Sequence, residues 1–464
     1  MGDTNENERP VKLVHYISYG AYRGFELLLR PFPMEVVCVI GGLIGSLGRL
    51  LLPQRRAMVI RNLRIAYGKT HSLEQIHAMC RRVYWNSGAN FLAAIRANST
   101  PIDEIRSRVE VQGGENLDLS SRPESGFIIL LAHMGNWEIL TQAHLIEPRM
   151  APFSGLYRPL GNPLLDRLVK RRRQSTGTKL FSRRDGFFKP IAHLKAGGSL
   201  GAIADQNAGA HGVAVPFFGK LTSLTNLPAL LYRRTGASIM PVSMCTISHG
   251  RWRMVIHPAM EISDSQKKNA ALTTSLCARA FETMMSESPS DVLWMHGYWK
   301  VGTKRPLKID GVQKKKNADS LTEATAPFKV LVFTGSAPAE SQEMLEQLHR
   351  LKNYRKDIEI TVVGEFLTSA DAAQHIVMNP AEPPHIVANE IRQYDLGMAT
   401  PLDCAIDFTS DASGENILKL SGITPVFAMR GKNMSRFTRL VFADVAKRNL
   451  AGFIESLGIE TELP

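Results

Sequence analysis

In the run Ala132-His133-Met134-Gly135-Asn136-Trp137-Glu138, a histidine stands five positions ahead of a glutamate. A carboxylate bonded to one imidazole nitrogen fixes the tautomer and leaves the other nitrogen free as a base. The chemistry this suggests is removal of a proton from a substrate hydroxyl. On one regular helix the two side chains would point about 140° apart. They can meet only if His133 lies on a turn and Glu138 in the first turn of a helix. The flanking residues predict that arrangement. Phe127-Ile128-Ile129-Leu130-Leu131, preceded by Ser125-Gly126, reads as a buried strand. Asn136 is a good N-cap for a helix through Trp137, Glu138, Ile139 and Leu140. A His and a Glu five apart also arise by chance in long chains. The strand-to-helix turn favours a site, because ligands bind at the carboxyl ends of strands in α/β folds.

Other segments have the character of site material. Tyr157-Arg158-Pro159-Leu160-Gly161-Asn162-Pro163 is a turn after a strand, and its Arg158 suits a phosphate. Ala204-Asp205-Gln206-Asn207 follows another strand. Gly212 to Lys220 reads as an apolar loop whose Phe217 and Phe218 suit an acyl chain or a pocket cover. Each has a plainer reading: Arg158 in a surface ion pair, Asp205 capping a turn, the two phenylalanines in the core.

The elements that must position these residues follow from composition and pattern. The chain has 464 residues, 44% of them hydrophobic, enough for two or three domains. Its net charge is +13. The excess of Lys and Arg lies before about residue 325, and the remainder is net acidic. A basic surface suits anionic lipid, acidic substrates or nucleic acid, but no nucleic-acid module is present. The five cysteines are scattered, without a CxxC, which fits a reducing compartment and small buried hydrophobes. No cleavable signal peptide is evident.

Residues 1–100 read as mainly helical. Tyr16, Tyr19, Tyr22, Phe25, Leu28 and Leu29, mixed with Arg23 and Arg30, suggest an interfacial amphipathic helix. The apolar stretch 34–52, followed by Arg55, Arg56, Arg61 and Arg64, is short for a span. Association with one face of an anionic membrane is therefore expected over crossing it, the plain alternative being a core hairpin. Gly68 should end one helix, and Ser72-Leu73-Glu74-Gln75 should open the next with a capping box. Strands and helices alternate over residues 101–305, predicting a mixed-sheet α/β domain. Strands are expected at 126–132, 151–156, 199–204, 238–243 and 252–256, and helices at 163–174 and 226–235. Residues 306–326, with Lys314-Lys315-Lys316, read as a linker. A smaller Rossmann-like α/β domain is expected over 327–464, with strands at 329–333 and 358–363 and a helix at 341–351.

Taken in order, seven blocks resemble the lysophospholipid acyltransferase superfamily, in its lipid A late acyltransferase branch of lauroyl and myristoyl transferases. They are RNLRIAYG at 61–68, LAHMGNWE at 131–138, YRPLGNPLLDRLV at 157–169, ADQNAG at 204–209, VPFFGK at 215–220, RRTGASIMPV at 233–242 and LWMHGYWK at 293–300. The mycobacterial phosphatidylinositol mannoside acyltransferase is also similar. The resemblance covers about residues 15–305. It implies an O-acyltransferase on the cytoplasmic face of an inner membrane, with no metal or bound cofactor. His133 would be the general base on a hydroxyl of a lipid A-type glycolipid, and Glu138 would orient it. The donor would be the thioester of acyl carrier protein or acyl coenzyme A. Substrate binding would fall to Asn136, Arg158, Asn162, Asp205, Gln206, Phe217 and Phe218, with Asp205 helping to hold the acceptor. The backbone N–H groups near Gly135-Asn136, or Arg158, would meet the oxyanion. Ala208-Gly209-Ala210-His211 departs from the pattern and leaves the acceptor open.

Residues 326–464 lie outside that resemblance. They look like one half of a heptosyltransferase-type glycosyltransferase, without a GxGxxG or a P-loop. Asp407, Asp411 and Glu415 are candidate ligand groups there, or solvated surface acids. The expected role is a binding or docking module. The alternatives to glycolipid acylation are acylation of another lipid, glycosyl transfer by the tail, and a non-catalytic scaffold for membrane and carrier protein.

Overall fold

The computed structural model describes residues 10–118, 125–182, 186–300, 307–308, 325–335, 352, 357–364, 374–377, 382–407, 413–423, 426–428 and 459–460. Four helices lead: α1 (Leu13–Leu29), α2 (Met34–Leu51), α3 (Pro53–Tyr67) and α4 (Leu73–Ala97). The start of α4 is the expected capping box, with Gln75 N–H donating to Ser72 Oγ and Ser72 N–H to Gln75 Oε1. Gly68 caps α3. Helices α2 and α4 touch backbone to backbone: a Cβ on Gly45 would lie 2.0 Å from Tyr84 O, and one on Gly88 would lie 2.1 Å from Gly41 O. Only glycine allows this approach. The far face of α2 exposes Leu43, Ile44, Leu47, Leu50 and Leu51.

The central sheet has seven strands in the order β1 (Val109–Gln112), β9 (Arg251–Ile256), β8 (Ser238–Ser248), β2 (Phe127–Leu131), β5 (Ser199–Ile203), β3 (Phe153–Tyr157), β4 (Lys179–Ser182). It is mixed, as expected: β8 and β9 are antiparallel and the other neighbours are parallel. Strand β2 lies in the middle and is buried throughout. Its alternate side chains feed two cores, Ile128 and Leu130 on one face, Phe127, Ile129 and Leu131 on the other. The expected strands and the helices Pro163–Ser175 and Leu227–Thr235 are present. The edge strands β1 and β4 are four residues each, too short and polar to signal themselves.

The expected loop at 212–220 is instead half of a hairpin. Strands β6 (Val213–Phe217) and β7 (Lys220–Leu224) pair antiparallel. The two-residue turn is Phe218-Gly219, both with positive φ, 48° and 70°. The strained Phe218 is held by its N–H, which donates to Glu282 Oε1 at 2.5 Å.

A short parallel pair joins β10 (Leu307–Lys308) to β16 (Ile459–Glu460). The second sheet is wholly parallel, in the order β13 (Gln374–Val377), β12 (Ile358–Gly364), β11 (Phe328–Gly335), β14 (Cys404–Asp407), β15 (Val426–Ala428). Read along the chain this is 3-2-1-4-5, with the reversal of a doubly wound sheet between its first and fourth strands. Asp407 is fully buried at the end of β14. The expected helix at 341–351, Asp411, the side chain of Glu415 and most of the linker lie outside the described residues.

Candidate active site

Strand β2 ends at Leu131, and the next residues form a turn anchored to a neighbouring segment. Leu293 N–H donates to His133 O at 2.9 Å, and Gly135 N–H to Asp291 O at 3.0 Å. The Asp291 carboxylate accepts from Asn86, Thr246 and Ser288, so this anchor is itself fixed. Gly135 has φ 54°, and a Cβ there would meet Met244 O at 2.1 Å. A side chain fits neither the dihedral nor the space.

His133 emerges from this turn. Strand β5, beside β2, delivers Asp205 two residues beyond its end, so the pair sits at the carboxyl ends of adjacent parallel strands. His133 Nδ1 is 2.6 Å from Asp205 Oδ1. The His133 backbone N–H donates to Asp205 Oδ2 at 3.1 Å, and Tyr298 O–H donates to the same oxygen at 3.1 Å. Asp205 is completely buried, whereas 18% of the His133 side chain is exposed. With Nδ1–H given to the carboxylate, Nε2 carries the lone pair. The amide nitrogen of Gln206 lies 3.3 Å from that Nε2 and 2.8 Å from Nε2 of His296, placed to donate one proton to each. The His296 ring is 4.9 Å from that of His133, and the Trp137 ring is 5.5 Å away on an edge.

The charges agree with this arrangement. Burial by itself would depress the His133 pKa, but the Asp205 carboxylate outweighs it, with help from Glu138, and the value lies above that of an ordinary histidine. Burial would raise Asp205, but His133 holds it below the usual carboxylate range. His296 is lowered, by burial first and then by His133. Tyr298 is raised by burial and by Asp205, so its hydroxyl remains a donor.

Several expected residues fall elsewhere. Glu138 does not touch the imidazole: its carboxylate pairs with Arg173 Nη2 at 2.8 Å and is 45% exposed. Asn136 caps no helix, since the chain makes a turn and then a 3-10 helix at Ile139–Gln142. Its side chain is buried with both polar atoms unpartnered. Asn162 caps the helix Pro163–Ser175 and donates to His15 O and Ser18 Oγ of α1. Arg158 is exposed. Asp205 is buried beneath the His133 ring, with both oxygens engaged by His133 and Tyr298. Phe217 is a core residue against Trp299 and Tyr298, and Phe218 packs on Tyr67 and Trp294. Gln206 does stand at the imidazole. His296 and Tyr298 were missed, although both lie in LWMHGYWK at 293–300. The available signal was a His and a Tyr among tryptophans in a stretch without helical or strand period. Among the described residues, no group of three His, Cys, Asp or Glu side chains could hold a metal ion.

A histidine held by a buried carboxylate at the carboxyl edge of an α/β sheet is an arrangement suited to proton transfer. The model of the bacterial lipid A biosynthesis acyltransferases matches residues 7–301, and the chain belongs to that family. It is 26% identical over 272 residues to the lipid A biosynthesis palmitoleoyltransferase of Escherichia coli K12, covering 58% of this chain and 86% of that one. With the lipid A biosynthesis lauroyltransferase of the same organism it shares 24% over 278 residues, 59% of this chain and 88% of the relative. A phosphatidylinositol mannoside acyltransferase of Mycolicibacterium smegmatis is 26% identical over 178 residues, 38% and 57% of the two chains. The enzyme is an acyltransferase of the lipid A type.

Proposed function

We propose that the enzyme moves a fatty acyl group from a thioester, on acyl carrier protein or coenzyme A, to a hydroxyl of a membrane glycolipid. His133 Nε2 takes the hydroxyl proton as the oxygen attacks the thioester carbonyl. The carbon–sulfur bond breaks, and the imidazolium returns the proton to the departing thiolate. Asp205 holds the ring and stabilises the imidazolium, and Tyr298 holds Asp205. Gln206, now on Nε2, gives way to the hydroxyl. Glu138 acts at longer range, through its charge and by placing Arg173. The observation that carries this reading is the 2.6 Å contact between Asp205 and His133 Nδ1, which leaves Nε2 as the available base. Arg158 is the candidate for acceptor phosphate; of the N–H groups at Gly135-Asn136, that of Gly135 is held by Asp291 O, which leaves that of Asn136 as the candidate for the oxyanion. The names of the relatives in Escherichia coli, which place them in lipid A biosynthesis, support a glycolipid acceptor.

The same reading places the enzyme on an inner membrane, facing the cytoplasm. Helix α2 is long and apolar enough to cross a bilayer, with mean hydropathy 1.7 over 18 residues. Its glycine face, however, is locked to α4, and α4 buries Ile76, Cys80, Val83 and Tyr84 in the core beneath the sheet. Crossing would drag that core into lipid, so α2 lies in the interface with its exposed leucines downward. Five cysteines free as thiols suit a reducing compartment.

The test is acyl transfer from labelled acyl carrier protein and acyl coenzyme A into a total lipid extract, read by mass spectrometry. Product that disappears with folded His133→Ala supports the reading and names donor and acceptor. Undiminished product from His133→Ala sinks it.

A further inference from the structure

The family match ends at residue 301, yet the C-terminal lobe reaches back into the catalytic part through buried charges. Asp403, 1% exposed, precedes β14. One of its oxygens is 2.9 Å from Arg61 Nη2 and the other 2.6 Å from Lys220 Nζ. That second oxygen also accepts the Lys329 N–H. Asp395 pairs with Arg64 Nη1 at 2.5 Å, and Arg64 donates further to the carbonyls of Asp395 and Met398. Beside them, a Cβ on Gly68 would lie 2.4 Å from Ala399 O, so the lobe rests directly on the end of α3.

The residues gripped by the lobe also grip the segment carrying His296 and Tyr298. Arg61 Nη1 donates to Trp299 O at 3.3 Å. Asn62, between the two arginines, donates to Trp294 O at 2.8 Å and His296 O at 2.7 Å. Lys220 O accepts from Trp299 Nε1, and its strand neighbour Thr222 donates to Tyr298 O. Tyr298 then donates to Asp205. Two bonded paths, through α3 and through β7, join Asp403 to the carboxylate under His133.

We propose that the C-terminal lobe is a positioning element of the acyl-transfer site, with Asp403 and Asp395 fixing α3 and Lys220 so that residues 294–299 hold Asp205 against His133. This rests on the reading of His133 and Asp205 as base and orienting group. The lobe lies outside the family match, and none of its described residues bonds to His133 or Asp205. It supplies charge partners without which Lys220, 3% exposed, and Arg61 lose the carboxylate that neutralises them.

The test uses the full-length chain with Asp403→Asn, Asp395→Asn, Tyr298→Phe and the Asp403→Asn/Tyr298→Phe pair, alongside Asp205→Asn. Turnover is measured per folded molecule and thermal unfolding in parallel. The expected result is a fall of about tenfold in kcat for Asp403→Asn with KM nearly constant, and little further loss when it is added to Tyr298→Phe, as coupled sites require. Equal losses in both backgrounds, or a fall in unfolding temperature with kcat intact, overturn the proposal. If Asp403→Asn fails to fold, Asp395→Asn paired with Tyr298→Phe carries the same test at the other anchor. An inactive Asp205→Asn beside a fully active Asp403→Asn removes the lobe's role and keeps the site. A fully active Asp205→Asn removes the site reading itself.

Discussion

Asp205 Oδ1 stands 2.6 Å from His133 Nδ1, while Glu138, five residues along from the histidine, is bound instead to Arg173. The partner of the imidazole comes from beyond the end of the neighbouring strand of the sheet, 72 residues away in the chain. Glu138 is left at the rim, within electrostatic range of the imidazole but out of contact with it.

The pH profile of catalysis follows from this pair. The base must be neutral to act, so kcat/KM rises with pH through the raised His133 pKa, above the ordinary value of 6.5. Removing the Asp205 charge in Asp205→Asn lowers that pKa, so the limb moves toward acid while the plateau falls about 10²-fold or more. Glu138→Gln moves the limb in the same direction by less. A larger displacement for Glu138→Gln, from rates measured between about pH 5 and 9, would show that Glu138 is the true partner.

Stability is linked to the same two groups. The contribution of His133, whose pKa is raised, is fully present below about 6.5 and is lost as pH rises through its folded value. That of Asp205, whose pKa is lowered, is present above about 3.8 and is lost as pH falls through its folded value. Denaturant midpoints of wild type and His133→Gln should therefore differ more at about pH 5.5 than at pH 9. A difference that grows with pH contradicts the assignment.

Gly135→Ala tests the turn that presents the base. With φ at 54° and Met244 O 2.1 Å from the new Cβ, the strand β8 backbone must move. The expected cost is about 2 kcal/mol or more in chemical denaturation, with activity lost in the fraction still folded. A variant as stable and active as wild type would mean that the turn is not held as described.

The exposed face of α2 should carry membrane binding without carrying the fold. Leu43→Ser with Leu47→Ser removes side chains 58% and 53% exposed. Flotation with vesicles containing anionic phospholipid should fall about tenfold, while the unfolding midpoint stays within about 0.5 kcal/mol of wild type. Unchanged flotation would move the membrane contact elsewhere.

The sequence alone determined what local physics controls. The uninterrupted apolar run at 127–131 had to be a buried strand. Ser72 and Gln75 had to cap a helix, and the block order from Arg61 to Lys300 carried the family. The place of His133 at the end of that strand was legible for the same reason. Tertiary structure alone decided its partner. Asp205 reaches His133 because β5 lies next to β2, and strand order is a long-range property that no spacing along the chain encodes. The same holds for Phe217, which reads as pocket lining in a loop but is buried when β6 and β7 pair. It holds too for Arg61, which reads as a charge flanking the membrane-associating stretch until the fold pairs it with the buried Asp403.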